Sequence, residues 1–130
     1  MRMYCKHLGL FVLFTLLALV GCTEHTPMEP AANTGTVFQR PLEDLQNATR
    51  NALTKLNFGI LKENDQYFEA VHLKPGETVE DNDSEVVGIW LKPRAGSVLV
   101  LINTMKRASG IAKQRDWEED LLREIMRDLN

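Results

Sequence analysis

The chain has 130 residues, 15 of them lysine or arginine and 18 aspartate or glutamate, and 44% are hydrophobic. This length suits one domain, and the acidic balance argues against a nucleic-acid-binding protein, which needs a basic surface. Both cysteines lie within the first 22 residues, so the rest of the chain has no disulfide to stabilise it.

The N-terminus has the three parts of a secretory signal peptide. Arg2 and Lys6 form a basic head, an apolar run covers residues 8–20, and a small residue, Gly21, precedes Cys22. The apolar run is shorter than the ~18–20 residues that a membrane-spanning helix needs. We therefore expect export. The alternatives are an ordinary secreted protein with a cysteine there by chance, and a membrane-spanning anchor.

The tetrapeptide Leu19-Val20-Gly21-Cys22 resembles the lipobox of bacterial lipoproteins. In that family the cysteine sulfur is acylated, and a dedicated signal peptidase then cuts before the cysteine. The resemblance implies cleavage between Gly21 and Cys22 and a lipid anchor, such as palmitate, on Cys22. Thr23 stands where an aspartate would favour inner-membrane retention in many Gram-negative species. The resemblance therefore favours the outer membrane, with the protein facing the periplasm.

Composition, together with the lipobox resemblance, divides the chain into three predicted segments. Residues 1–21 are the signal peptide, residues 22–37 are the acylated cysteine and a flexible tether, and residues 38–130 are the folded domain. The tether has little to bury and would hold the domain ~20 Å from the bilayer on average. All 18 acidic residues but only 13 of the 15 basic ones follow residue 21, which makes the mature net charge −5 and favours solubility.

The pattern from residue 41 onward predicts helix, four strands, helix. Apolar residues at spacings of three and four predict a helix from Pro41 to Leu56, which Asn57 ends in a left-handed conformation. Strands are expected at residues 58–62, 66–74, 85–92 and 97–105, and a helix capped by Asp116 follows. Short links make the sheet antiparallel. We therefore predict a two-layer α+β sandwich with both helices on one face.

The third predicted strand places its side chains on two faces. If Val87, Ile89 and Leu91 meet the helices, Trp90 points the other way, beside Leu99 and Leu101 of the fourth strand. The fourth strand is apolar on both faces, so it should be central and covered on both sides, or buried at an interface. Two interpretations remain open. Trp90, Leu99 and Leu101 form an exposed patch that binds a partner, or other parts of the chain cover them.

From Arg40 onward the chain resembles a family of small bacterial lipoproteins whose domain is of unknown function. The resemblance rests on Pro41-Leu42, Ala48, Ala52-Leu53 and Leu56-Asn57-Phe58, where the family usually has Leu-Gly-Phe. The architecture is also similar to small C-terminal domains of an accessory lipoprotein of the outer-membrane β-barrel assembly machine, an analogy of fold alone. The family supplies no catalytic residues to carry over.

The residues that usually perform chemistry are sparse. His72 lies within a predicted strand with no nucleophile or orienting acid at a suggestive spacing. The acidic run from Asp81 to Glu85 lacks the glycine and the glutamate of a calcium loop, since Val86 and Lys92 occupy those positions. We therefore predict no catalytic residue, no cofactor and no metal.

Basic residues could cluster at one end of the sheet and touch anionic lipid, although a solvated rim is the simpler interpretation. They are Lys92, Arg94, Lys106, Arg107, Lys113 and Arg115. Together these observations predict a non-enzymatic, lipid-anchored envelope protein that binds another envelope component, protein or lipid. The alternative is a carrier or sensor of a small apolar ligand held between sheet and helices. The possible interaction residues are Trp90, Leu99, Leu101, Arg94, Lys106 and Arg107.

Overall fold

The chain folds as an open antiparallel sheet with two helices. The computed structural model describes residues 26–82, 84–106 and 114–130. Within them no helix is long and apolar enough to cross a membrane. The elements in chain order are a 3₁₀ turn at Ala32–Thr34, β1 (Thr36–Phe38), α1 (Leu42–Lys55), β2 (Phe58–Asn64), β3 (Tyr67–His72), β4 (Val86–Arg94), β5 (Ser97–Met105) and α2 (Glu118–Leu129).

The sheet has five strands in the order β1-β5-β4-β3-β2, all antiparallel. The α+β class and the four predicted strands are present, but the count of four is wrong. The additional strand, β1, pairs with the edge of β5, with Thr36 opposite Val100 and Phe38 opposite Val98. Three residues are too few for an alternating pattern to stand out, and the partner strand lies about sixty residues away. Part of the predicted tether is therefore part of the sheet.

Both helices lie on one face of the sheet and enclose the main core. Val87, Ile89 and Leu91 of β4 are fully buried there, as the alternation predicted. They pack in one cluster with Leu45 and Leu53 of α1, and α2 contributes its own apolar side to the same cluster. The residues of α2 that join it are Leu121 and Ile125.

Helix α1 ends where the sequence predicted. Asn57 has a φ of 60°, a left-handed conformation that asparagine adopts more readily than most residues. Its backbone N–H donates to Thr54 O (3.2 Å), and its carbonyl accepts from the N–H of Leu73 (2.9 Å). The turn therefore both ends α1 and aligns the start of β2 with the chain that follows β3.

Helix α2 begins differently from the prediction. Trp117, not Asp116, occupies the N-cap position, and no side chain caps it there. Asp116 instead pairs with Lys106 (3.1 Å). The N–H of Trp117 donates to Thr104 Oγ1 (2.9 Å), and Glu118 Oε1 accepts from the N–H of Thr104 (3.0 Å). These two reciprocal bonds fasten the start of α2 to the end of β5, a partnership across the fold that a local capping pattern cannot reveal.

Candidate functional site

The side of the sheet opposite the helices, which we call the outer face, carries the residues singled out from the sequence. Strand register places Tyr67, Trp90 and Leu101 in one row across β3, β4 and β5. The neighbouring row contains Glu69, Gly88 and Asn103. Since residues directly opposite each other in a sheet point to the same side, these two rows form a continuous surface.

Gly88 forms a notch in this surface. A Cβ atom at position 88 would lie 2.5 Å from Trp90 Cη2 and 2.9 Å from Pro27 Cβ, closer than carbon atoms can approach. The indole of Trp90 therefore folds back along its own strand into the space that a side chain would occupy. An aromatic ring that covers a strand glycine in this way compensates for the missing side chain. The same notch receives Pro27, which is buried.

Residues 26–35, which we call the N-terminal strap, lie across the outer face. Asn103 Nδ2 donates to the carbonyl of Met28 (2.7 Å), and Glu29 forms an ion pair with Lys92 of β4. At the other end of the strap, a Cβ on Gly35 would lie 2.6 Å from both Leu99 Cδ1 and Leu101 Cδ2. The strap thus contacts the sheet along its length before it enters β1.

The strap decides between the two interpretations of the outer face. Leu99 and Leu101 are only 2% and 1% exposed, and Gly35, which follows the 3₁₀ turn, lies directly on both. The expectation of an exposed patch made of Trp90, Leu99 and Leu101 is therefore wrong for the two leucines. Trp90 remains half-buried. The prediction that β5 is covered on both sides is correct, with helices on one face and the strap on the other.

Trp90 belongs to a shallow depression beside the strap. Its ring lies 5.1 Å from that of Tyr67, at a tilt of 40°. The hydroxyl of Tyr67 donates to Glu69 Oε2 (2.8 Å). Burial, the hydrogen bond to Glu69 and the charge of that carboxylate raise the pKa of Tyr67 above its usual range, so the hydroxyl stays a donor. The depression has a volume of about 330 Å³ and is lined by Thr26, Pro27, Glu29, Lys62, Tyr67, Glu69 and Trp90.

The opposite end of the outer face is covered by the segment that links β3 to β4. Val79 lies over Gly59, where a Cβ would come within 2.6 Å of Val79 Cγ2. Val71 and Val86, in the same row as Gly59, are fully buried. The segment therefore packs against the sheet through Val79, while the acidic side chains of Glu80 and Asp81 stay exposed. It is held by bonds such as that from Ser84 Oγ to Glu77 Oε2 (3.0 Å).

The basic residues do not form one cluster. Arg94 lies at the β4–β5 hairpin, opposite Ser97, whereas Lys106 follows the far end of β5. Nine strand residues separate the two ends, roughly 30 Å at 3.4 Å per residue. A cluster at one end of the sheet is therefore ruled out for Arg94 and Lys106, because the length of β5 lies between them. Arg107 lies outside the described residues, as do the lipidation and cleavage residues Cys22 and Gly21.

His72 lies in an aromatic cluster at the end of β3. Its ring stacks on Trp117 (4.4 Å between centroids, 28° between planes) and contacts Phe58 edge-on (5.2 Å). The guanidinium of Arg115 lies 4.4 Å from the centre of the Trp117 ring. Burial lowers the pKa of His72, although the carboxylates of Glu85 and Glu77 oppose that shift. This environment favours a neutral imidazole that packs as an aromatic ring.

The acidic side chains do not assemble a cation site in the part of the chain that the structure describes. No group of three or more His, Cys, Asp or Glu side chains is placed there to hold a metal ion. Asp83, within the acidic run, lies outside the described residues.

Sequence reasoning missed three contributors to the outer face: Gly88, Pro27 and Asn103. One signal was available, since an isolated glycine inside a strand pattern marks a close approach of another group. Nothing local identifies Pro27 or Asn103, because their partners are dozens of residues away.

No protein-family model matches the chain, and no curated protein is a significant match to it.

Proposed function

We propose that the chain is a lipoprotein precursor that is exported, cut before Cys22 and anchored through acyl chains on that cysteine. The observation that carries this proposal is the tetrapeptide Leu19-Val20-Gly21-Cys22 directly after a basic head and an apolar run. The sulfur supplies a nucleophile at the bilayer surface, and Gly21 leaves room for a protease. Since no cysteine follows position 22, the anchor would be the only cysteine modification of the mature protein.

The anchored domain acts by binding rather than by catalysis. We place the binding surface on the outer face, around Trp90 and Tyr67, where two aromatic rings line a depression beside polar groups. Trp and Tyr are enriched at binding hot spots because each offers a large apolar area and a polar tip. The component bound is another part of the cell envelope, with the protein facing the periplasm from the outer membrane.

The alternative, a carrier of a small apolar ligand between sheet and helices, stays a prediction. That layer is filled by fully buried side chains such as Leu45, Phe68 and Ile89. A ligand there would have to displace several of them, which favours the binding surface over the carrier.

The anchor is tested by Cys22→Ala in the native host, with Cys5→Ala as the matched control. We expect the Cys22→Ala precursor to stay uncut and to incorporate no radiolabelled palmitate, while the control matures normally. Normal cleavage or labelling of the Cys22→Ala protein would show that the anchor assignment is wrong.

The binding surface is tested by purification from detergent-solubilised membranes. We expect the native chain to retain an envelope protein or phospholipid, and Trp90→Ala to lose it while still folding. The control is Met126→Ala, which removes an exposed apolar side chain from α2 instead. Equal recovery with both variants would place the surface elsewhere. Retention of a small ligand inside the core would favour the carrier.

A further inference from the structure

We propose that the outer face around Met28 and Trp90 rests on the lipid bilayer, so that the envelope component it binds is the membrane surface itself. This inference rests on the proposed anchor at Cys22. It goes beyond the anchor because it states which side of the domain faces the membrane and therefore how the domain is oriented.

The length of chain between anchor and domain carries the argument. Pro27, the first buried residue of the strap, is only five positions after Cys22. Five residues span at most ~18 Å even when fully extended. The predicted tether of residues 22–37 would have let the domain turn freely. With the strap packed on the sheet, the link is shorter than the domain is wide, roughly 30 Å for about 95 residues.

The strap therefore holds the outer face near the bilayer. It docks on β4 and β5 through the Gly88 notch and through the bond from Asn103 to the carbonyl of Met28. The helices lie on the opposite side of the sheet. When the link pulls Pro27 toward the membrane, α1 and α2 point away from it.

Of the three large apolar side chains that are exposed in the described residues, two lie on the side assigned to the membrane, and the third, Met126, is on α2. Met28 is 80% exposed and Val37, on the outer face opposite Leu99, is 48% exposed. Trp90 and Tyr67 lie beside the strap, and such amphipathic rings favour the level of lipid headgroups. An exposed methionine next to them offers an apolar group that can enter the acyl boundary.

The charges agree as well. Beside the strap, the carboxylate of Glu29 is paired with Lys92, and that of Glu69 accepts from Tyr67. Helix α2, in contrast, contains five acidic residues and two arginines. The acidic segment between β3 and β4 covers the other end of the outer face. Glu69 keeps its charge but is only 5% exposed, so anionic lipid would repel α2 and that far end more than the end that contains Trp90.

The test uses the full mature protein, purified with its acyl chains and reconstituted into phosphatidylcholine vesicles with a minority of phosphatidylglycerol. Acylation blocks Cys22, so Met28→Cys introduces one reactive thiol for a nitroxide label. The matched control is Met126→Cys, another exposed methionine, on α2. We expect the label at 28 to collide several-fold more with membrane-soluble oxygen than with a water-soluble nickel complex, and the label at 126 to show the reverse.

Two results would overturn the inference. Labels at 28 and 126 that are equally open to the nickel complex would mean that the outer face points to solvent. A label at 28 shielded from both reagents would mean that another copy of the chain, and not lipid, covers it. As an independent readout, Trp117→Phe leaves Trp90 as the only tryptophan, and lipids brominated near the headgroup should quench it. The same lipids should not quench Trp117 in Trp90→Phe, and equal quenching would count against the inference.

The experiment distinguishes a failure of the proposed anchor from a failure of the proposed orientation. Mass spectrometry of the N-terminal peptide shows whether Cys22 is acylated before any label is read. An unacylated protein contradicts the proposed function, whereas an acylated protein with a solvent-exposed label at 28 contradicts only the orientation. A flexible insertion between Thr23 and Glu24 lengthens the link. It should abolish the difference between labels 28 and 126, and a difference that persists would show that the short link does not set the orientation.

Discussion

At the scale of one residue, the lack of a side chain at Gly88 determines how the outer face packs. Its absence leaves room for the Trp90 ring and for Pro27, so the strap and the strand share one contact point. A glycine in a strand ordinarily weakens it. Here the loss of stability is offset because the indole of Trp90 and the ring of Pro27 pack over Gly88.

We expect Gly88→Ala to lower the free energy of unfolding by about 1–3 kcal/mol, the usual cost of overpacking. The new Cβ would meet both Trp90 and Pro27, and the strap is the part that can move away. Urea unfolding measures the loss, and Trp90 fluorescence should shift toward the red as its ring is displaced. In Pro27→Gly the same substitution at position 88 should cost less, since the Cβ that it would meet at position 27 is gone. Identical costs in both backgrounds would mean that Pro27 does not occupy the notch.

The lowered pKa of His72 makes stability depend on pH. Below the ordinary pKa of 6.5, the unfolded chain takes up a proton that the folded chain does not yet bind. The free energy of unfolding should therefore fall as pH decreases through 6.5, and level off below the lowered pKa of the folded state. His72→Gln removes this titration but leaves all carboxylates in place. If the free energy of unfolding depended on pH in the same way in both proteins, the interpretation of His72 as a neutral imidazole would be wrong.

At the scale of elements, the junction between α1 and β2 depends on one backbone conformation. Asn57, at a φ of 60°, ends the helix and accepts the N–H of Leu73. A Cβ without a polar side chain pays roughly 1–2 kcal/mol in that conformation.

Substitution at position 57 should follow a simple order of stability. We expect Asn57→Ala to lower the free energy of unfolding by about 1 kcal/mol, and Asn57→Gly to leave it equal or slightly higher. Thermal or urea unfolding of the three proteins gives the order. A chain with alanine at least as stable as the native one would show that the left-handed turn is not required.

At the scale of the whole molecule, the strap makes the domain larger than composition predicts. Leu99 and Leu101 are buried under residues 26–35, and β1 adds an edge strand to β5. A domain that began at residue 38 would expose both leucines and lose that strand.

We therefore expect residues 26–130 to fold with a higher free energy of unfolding than residues 38–130. Burial of a leucine side chain is worth about 1.5–3 kcal/mol, so exposure of two should cost roughly 3–6 kcal/mol. That is a large share of the ~5–15 kcal/mol typical of small domains. Urea unfolding of the two fragments measures this difference in free energy, and light scattering reports aggregation of the shorter fragment. Equal midpoints would mean that the strap adds no stability.

Local patterns were enough to predict the α+β class and the order of six elements. Spacing also placed Val87, Ile89 and Leu91 on one face and Trp90 on the other, because side-chain direction follows from backbone geometry within a few residues. Asn57 was recognisable for the same reason. The candidate anchor at Cys22 is a sequence inference throughout, since it depends on a short contiguous motif outside the described residues.

Only the tertiary structure decided what covers each face and which distant residues meet. Local alternation shows that Leu99 and Leu101 point away from the helices, but not that Gly35 lies on them. It also overlooks a three-residue strand whose partner lies about sixty residues further along the chain. Periodicity reflects the geometry of one segment, whereas covering and pairing depend on contacts between segments that are far apart in sequence.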